Sequence, residues 1–313
     1  MTAYPDLRRR VLWLVIAGLL LISGCVRVPS TGVTPIKSRS MSDLTGFLLS
    51  HKPDVDLFRM RGPFLVAVQE NREVPLPGGG YVRADLYLAA PAEKAPLIIL
   101  LHGDGNSMKD HAYQAQHLAS WGMHALAVEL PNDGPWIANG KTLARLASLV
   151  RQQPELIDGR IDANRIILAG HSFGGKAVAV ALAEGAPVAG AVLLDPATVE
   201  KGLPKILRQV NAPVMVIGAD ESLGTTTNRG FFFRFIPAKV AEISIRDAVH
   251  EDAQYPAQSF GIDLTGREEQ QISFASALTS AAFSLSMTGK FDYAWASFDE
   301  AIKNNKLFNA RRK

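Results

Sequence analysis

The stretch IILAGHSFGG, residues 166–175, decides the fold of this chain. Its first four residues form a continuous apolar run, as in a strand covered on both faces of a parallel sheet. Gly170, Ser172 and Gly174 then form a G-x-S-x-G motif, and the small-residue helical segment 177–182 follows closely. A strand, a sharp turn and a helix are the context in which this motif exposes a serine above a sheet. We therefore take Ser172 as the candidate nucleophile, at a helix N-terminus whose amides can stabilise an oxyanion.

Apolar runs on either side of this motif predict the rest of the sheet. The run at 81–88 alternates with a period of two, as in an outer antiparallel strand, and 64–68 precedes it. Five runs are continuous, as in buried parallel strands: 97–101, 125–130, 166–169, 191–194 and 214–217. A last run, 243–245, leads to His250. Amphipathic helical segments lie between and after them. This alternation predicts one α/β domain with a mainly parallel, eight-stranded sheet and helices on both faces.

A serine hydroxyl needs a base, which in this kind of fold follows it in the chain. Of the seven histidines only His250 follows Ser172, and it comes just after the last apolar run. The acid has two main candidates, Asp195 and Asp220, because each ends an apolar run and belongs at the carboxyl edge of the sheet. We favour Asp220 and expect Asp195 to make structural hydrogen bonds. Asp252, close to the base in sequence, would need a tight local geometry.

The loop after the first continuous run, residues 102–106, is expected to provide a second oxyanion donor. We assign the two donors to the backbone amides of Asp104 and Phe173. Trp136, in the turn-rich segment 131–140, and Phe232, in the aromatic segment 230–235, are candidate substrate-lining residues. For the aromatic segment the alternative is a packed connector or helix.

These segments resemble the α/β-hydrolase superfamily, within it the branch of dienelactone hydrolases, cutinases and polyester hydrolases. The resembling residues are LIILLHGDGN (97–106), DANRIILAGHSFGG (162–175), VLLDPA (192–197), APVMVIGADES (212–222) and His250. The resemblance implies the α/β-hydrolase fold without a large lid, and it supports Asp220 and His250 as partners of Ser172. It implies cleavage of small or polymeric carboxylic esters through an acyl-enzyme, with no metal or organic cofactor. The same triad would serve an amidase, a peptidase or an acyltransferase, and a non-catalytic surface-binding lipoprotein is the remaining alternative.

The N-terminal segment predicts export and a lipid anchor. Three arginines at 8–10 precede the apolar run 11–21, which is shorter than the roughly 20 residues of a membrane-spanning helix and typical of a signal peptide. Residues 22–25, Ile-Ser-Gly-Cys, resemble a bacterial lipobox, which implies cleavage before Cys25 and lipidation of that residue. We therefore divide the chain into a signal peptide (1–24), a tether (25–50) and one folded domain (51–313). In a Gram-negative bacterium, the lipoprotein sorting rule that the resemblance brings would place a chain with Val26 after the cysteine in the outer membrane or periplasm.

Composition excludes several other classes of protein. The chain has 313 residues, of which 47% are hydrophobic, so it has enough apolar matter to fold. Its formal net charge of +3 is too small to indicate nucleic acid as a partner. Cys25 is the single cysteine, which excludes an internal disulfide and any multi-cysteine zinc site.

Overall fold

The computed structural model describes residues 40–90, 94–131, 134–199, 202–220, 230–255, 266–288 and 291–313. The chain divides into two units, Met1–Pro35 and Ile36–Lys313, and all described residues belong to the second. The predicted signal peptide, Cys25 and residues 26–39 of the predicted tether lie outside the described residues. Within the described ranges, no helix has both the length and the apolar character needed to cross a bilayer.

One sheet of nine strands organises the described residues. The strands are β1 (Leu65–Pro75), β2 (Tyr81–Ala90), β3 (Ala95–Leu101), β4 (His124–Glu129), β5 (Ile161–His171), β6 (Gly190–Leu194), β7 (Val214–Gly218), β8 (Val240–Ile245) and β9 (Leu307–Arg312). Their spatial order is β1-β2-β4-β3-β5-β6-β7-β8-β9. The strands from β4 to β8 pair in parallel, whereas β1, β2 and β9 join by antiparallel pairing. The strand that precedes Ser172, β5, therefore lies in the middle of the sheet.

All eight predicted strands are present, and the prediction of eight is corrected to nine by β9. This strand pairs antiparallel with β8, with Phe308 opposite Ser244 and Leu307 opposite Ile245. It forms the sheet edge, and only its first residue is buried. Its sequence, LFNARR, is half polar, so it lacks the continuous apolar run that identifies the buried strands.

Helices cover both faces of the sheet, as predicted. In the described residues they are α1 (Met41–Ser50), α2 (Ala112–Ser120), α3 (Trp136–Gln152), α4 (Phe173–Ala183), α5 (Leu203–Leu207), α6 (Phe231–Phe235), α7 (Glu268–Phe283) and α8 (Phe291–Lys303). Alternate strand residues face opposite sides, so each buried strand contributes to two hydrophobic clusters. In β5, Ile167 and Ala169 belong to the cluster that contains α1, α2, α7 and α8. Ile166 and Leu168 belong to the cluster that contains α3 to α6.

Helix α1 corrects the predicted tether. The Ser40 side chain caps this helix by accepting a hydrogen bond from the Asp43 N–H at 3.0 Å. Met41, Leu44 and Leu48 are buried in the first hydrophobic cluster. Residues 41–50 are therefore part of the folded unit, because a three-residue apolar stripe at helical spacing buries one face of the helix.

Candidate active site

The turn between β5 and α4 holds Ser172 in a strained backbone conformation. Its φ is 54° and its ψ is −121°, a conformation that costs a non-glycine residue about 1–3 kcal/mol. Two backbone bonds hold it, since the Ser172 N–H donates to Leu194 O at 3.0 Å and the Ala197 N–H donates to Ser172 O at 2.9 Å. Ser172 is 5% exposed and occupies the N-cap position of α4, where the first amides have no partner within the helix. The predicted strand, turn and helix around Ser172 are confirmed.

Two glycines of the motif are required by close backbone contact. A Cβ atom at Gly170 would lie 2.6 Å from the carbonyl group of Gly174. A Cβ atom at Gly174 would collide with the carbonyl oxygen of His102, at the end of β3. The backbone of the turn at Ser172 therefore packs directly against the backbone of the loop after β3.

His250 begins a short helical turn, His250–Ala253, that follows β8. Its Nδ1 lies 2.6 Å from Asp195 Oδ2, and the two side chains are buried, at 11% and 4% exposed. An ionised carboxylate only accepts, so Nδ1 carries the proton and Nε2 of the neutral ring keeps its lone pair. This is the tautomer that a general base needs. Asp252, in the same turn, pairs instead with Arg267 at 2.6 Å.

Asp195 is fixed by the neighbouring strand. It follows β6, the strand beside β5, and has a φ of 38°. Its N–H donates to Ile217 O at 2.8 Å, and its Oδ1 accepts a hydrogen bond from the Ala219 N–H at 3.0 Å. With Oδ1 held by the end of β7, Oδ2 is directed to His250.

The prediction that Asp220 orients His250 is wrong. Asp220 Oδ2 accepts a hydrogen bond from the Asp247 N–H at 3.1 Å and lies 3.4 Å from the Arg246 guanidinium. These contacts fasten the loop before His250 to the end of β7. Asp195 and Asp220 end neighbouring strands, so their order in the chain does not separate them. The path of the loop after β8 decides which carboxylate meets the base.

His171, the residue before Ser172, contacts His250, and the sequence alone does not predict this contact. Its Nε2 lies 3.0 Å from the His250 carbonyl oxygen, and the two ring centroids are 4.4 Å apart. Because a carbonyl only accepts, Nε2 of His171 carries the proton. Burial, aided by the neighbouring His250 and His111, holds the pKa of His171 well below its usual value. The ring is therefore neutral and donates to the backbone of His250.

The loop after β3 passes directly beside Ser172. A Cβ atom at Gly103 would lie 3.0 Å from the Cβ of Ser172. His102 braces this loop, since its Nδ1 lies 2.9 Å from Gly103 O. Asp104, one of the two predicted oxyanion donors, is exposed and comes next in the loop. Phe173, the other, is the first residue of α4.

The two candidate substrate-lining residues are both buried, Trp136 at 3% and Phe232 at 1% exposed. Trp136 begins α3 and stacks on Phe173 with ring centroids 5.6 Å apart, so it supports the nucleophile turn. Phe232 packs in the second hydrophobic cluster as part of α6. Helix α6 leads into the amino end of β8, whereas His250 follows the carboxyl end. The lining prediction for Phe232 is therefore wrong, and the alternative of a packed helix is correct.

A buried lysine lies one helical turn after Ser172. Lys176 is 1% exposed, and its Nζ lies 4.6 Å from the centre of the Phe173 ring and 3.3 Å from Val199 O. Its charge adds to the positive potential of the α4 N-terminus. A lone lysine in a helix of small residues is the only sequence signal for it. Among the described residues, no group of three or more His, Cys, Asp or Glu side chains is placed to hold a metal ion.

Comparison with known families agrees with this geometry. A family model described as "Alpha/beta hydrolase family" matches residues 98–301, more than half of the chain. The match runs from β3 into α8 and includes Ser172, Asp195 and His250. Comparison with curated proteins gives no match.

Proposed function

The chain belongs to the α/β-hydrolase family, and from this premise we propose that it is a serine hydrolase of carboxylic esters. The observation that carries the proposal is the 2.6 Å contact between His250 Nδ1 and Asp195 Oδ2. Ser172, held in a strained turn, donates its N–H to the carbonyl oxygen of Leu194, the residue before Asp195. A buried His–Asp pair beside such a serine is the arrangement that activates a hydroxyl nucleophile. The triad in this proposal is Ser172, His250 and Asp195.

In the first step, Ser172 Oγ attacks the acyl carbon while His250 Nε2 takes the hydroxyl proton. The π electrons of the ester carbonyl move to its oxygen, and the backbone amides of Phe173 and Asp104 hold the resulting oxyanion. Asp195 keeps the ring in its tautomer and stabilises the imidazolium. The intermediate then collapses, the bond to the alkoxy oxygen breaks, and the alcohol leaves with the proton from His250.

In the second step, water attacks the acyl-enzyme as His250 takes one of its protons. The second tetrahedral intermediate breaks the bond to Ser172 Oγ, which recovers a proton from His250, and the carboxylic acid leaves. His171, neutral and hydrogen-bonded to the His250 carbonyl, does not compete for these protons. Lys176, whose Nζ lies over the Phe173 ring, would add to the positive potential at the N-terminus of this helix.

The ester as substrate class is supported by the resemblance of residues 97–106 and 162–175 to the dienelactone hydrolase, cutinase and polyester hydrolase branch. Ester and amide hydrolysis proceed through the same acyl-enzyme and differ in the leaving group. An assay with both kinds of substrate therefore distinguishes the two activities. p-Nitrophenyl esters of graded acyl length, matching p-nitroanilides and competing alcohol acceptors make this comparison directly. We expect ester hydrolysis to be faster than anilide hydrolysis and than transfer to the acceptors.

The test of the proposal is Ser172→Ala with these esters. We expect kcat to fall by about 10⁴ or more, because the variant keeps only binding and oxyanion stabilisation. Ser148→Ala is the matched control, since the Ser148 hydroxyl donates to Ala144 O within α3. Activity retained by Ser172→Ala would overturn the proposal.

We also propose that Cys25 carries a lipid anchor and holds the enzyme at a membrane, in the outer membrane or periplasm. The lipobox-like residues 22–25 and the basic and apolar segments before them support this. Labelled palmitate should be incorporated into the wild-type protein in vivo but not into Cys25→Ala. Equal labelling of both proteins would contradict the anchor.

A further inference from the structure

A second charged feature lies at the end of the sheet opposite the candidate active site. Ser172, Asp195 and His250 follow the carboxyl ends of parallel strands. Helix α6 leads into the amino end of β8, and the last residue of the described chain, Lys313, exchanges backbone hydrogen bonds with Val240 there. Around α6 and the end of β9 lies a set of aromatic and basic side chains that we call the basic aromatic patch: Arg208, Phe231, Phe233, Arg234, Phe235, Arg311 and Lys313.

One half of the patch is built on β9. Arg311 and Lys313 are two residues apart and therefore face the same side of the strand. The Arg311 guanidinium and the Lys313 ammonium each lie 5.0 Å from the centre of the Phe233 ring. Arg312, between them, faces the other side and pairs with Asp292 at 3.0 Å. Both patch cations are exposed, while the ring between them is half-buried.

The other half is built on α5 and α6. The guanidinium groups of Arg208 and Arg234 each lie 5.3 Å from the centre of the Phe235 ring. Phe231 packs on Phe235 with ring centroids 4.8 Å apart. The two arginines are exposed and the two rings are half-buried. Stacking of cations on ring faces keeps the charged groups at the surface and orders the patch.

The charge of the patch is strongly one-sided. The patch holds four cations, Arg208, Arg234, Arg311 and Lys313. Within the described residues, Arg311 pairs with the carboxylate of Glu242 at 2.9 Å, and Glu242 is 2% exposed. Three cations thus have no acidic partner among the described side chains. An open groove of about 770 Å³ runs between the rings and is lined by Arg234, Arg311 and Lys313. The surface is complementary to a layer of anionic groups rather than to one small anion.

We propose that the basic aromatic patch docks the domain onto a bilayer that contains anionic phospholipid. The cations contact headgroup phosphates, each adding to the attraction of an anionic membrane surface. The half-buried rings lie at the boundary between the lipid headgroups and the acyl chains. Aromatic rings beside cationic side chains are favoured at this boundary. Docking in this orientation directs the carboxyl edge of the sheet, with Ser172, away from the bilayer. The inference does not depend on the reaction that Ser172 performs.

Vesicle flotation of the full chain tests this docking, with vesicles of phosphatidylcholine alone or mixed with phosphatidylglycerol. Any lipid anchor or apolar N-terminal segment of the protein contributes to binding of both kinds of vesicle. The readout is therefore the ratio of binding to anionic vesicles over binding to neutral vesicles. The patch variant is Arg208→Gln, Arg234→Gln and Lys313→Gln, which leaves the Arg311–Glu242 pair intact. The control variant is Arg61→Gln, Arg83→Gln and Arg145→Gln, which removes the same charge from exposed positions outside the patch.

We expect the wild-type protein and the control variant to prefer anionic vesicles, and added salt to weaken that preference. The patch variant should lose about fivefold in binding per cation removed and keep the wild-type melting temperature. No anionic preference, an equal loss in the control variant, or an unchanged patch variant would overturn the proposal. Tight binding of soluble inorganic polyphosphate to the patch without binding to anionic vesicles would also overturn it, since the partner would then be a soluble polyanion.

Discussion

His250 Nδ1 lies 2.6 Å from Asp195 Oδ2, whereas the carboxylate of Asp220 accepts the N–H of Asp247 in the loop before His250. The two aspartates follow adjacent strands and perform different tasks. Asp195 contacts His250 directly, and Asp220 holds the loop that precedes His250. Amide variants of the two residues separate these tasks, because each keeps the size of the side chain.

Asp195→Asn should lower kcat for ester hydrolysis by about 10⁴, because an asparagine does not hold the proton on Nδ1 or stabilise the imidazolium. Asp220→Asn, the matched control, should keep kcat within about tenfold and lose about 1 kcal/mol of stability from its weakened loop contacts. Steady-state kinetics and thermal unfolding check both variants. A larger kcat loss in Asp220→Asn would return the catalytic role to that residue.

His171→Phe should lower kcat by about tenfold or more with little change in KM, because it removes the donor to the His250 carbonyl. The matched control is His117→Phe, since His117 is also buried and its Nε2 lies 2.6 Å from Phe58 O, far from the triad in the chain. Both variants should lose about 1–3 kcal/mol of stability. His171→Gln, which keeps an N–H donor, should recover part of kcat. Equal effects on kcat in the two phenylalanine variants would show that His171 has no positioning role.

Gly174→Ala should destabilise the protein by about 3 kcal/mol, because the new Cβ atom collides with the His102 carbonyl oxygen and both partners are backbone. Gly46→Ala is the contrast, since no atom lies within 4 Å of a Cβ there. Gly46 lies inside α1, where alanine is favoured over glycine by about 1 kcal/mol. Chemical denaturation measures both changes. A tolerated alanine at 174 would contradict the close contact of the two backbones.

The pH dependence of stability should reflect His111. Burial, with His102 nearby, lowers the pKa of His111 from 6.5 to about 4. The folded state therefore favours the neutral ring, and the unfolded chain takes up a proton as the pH falls below 6.5. The stability that His111 contributes is complete above pH 6.5 and is lost as the pH falls from about 6.5 to 4. At about pH 5, the free energy of unfolding is lower by roughly 2 kcal/mol for this reason.

The variant His111→Leu should lose less stability on acidification than the wild-type protein. Free energies of unfolding measured at neutral and mildly acidic pH give this difference directly. Parallel stability curves for the two proteins would show that His111 does not titrate in this range.

The buried strands are predictable from sequence because a strand covered on both faces has no position for a polar side chain. In β3, every residue is buried, so residues 97–101 are apolar throughout. This rule does not apply to elements that are mostly exposed. The edge strand β9 and the helix Met41–Ser50 are not predicted, because each buries only a few residues. A short apolar stripe is too weak a signal beside a segment rich in serine and proline.

Ser172 and His250 are predictable as candidate site residues for different reasons. Ser172 lies in a motif whose glycines are required by backbone contact, and His250 is the sole histidine after it. The acidic partner of His250 is not predictable in this way, because Asp195 and Asp220 both follow the carboxyl end of a parallel strand. Only the path of the loop before His250 distinguishes them. His171 contacts His250 across 79 residues of chain, a contact that residue spacing does not encode.

The most direct test of the central claim is the rate at which a fluorophosphonate modifies the protein, followed by mass spectrometry of its peptides. We predict a single adduct on Ser172, formed rapidly in the wild-type protein and in Asp220→Asn, and formed far more slowly in Asp195→Asn. An adduct on another residue, no adduct, or slow labelling confined to Asp220→Asn would contradict a triad of Ser172, His250 and Asp195.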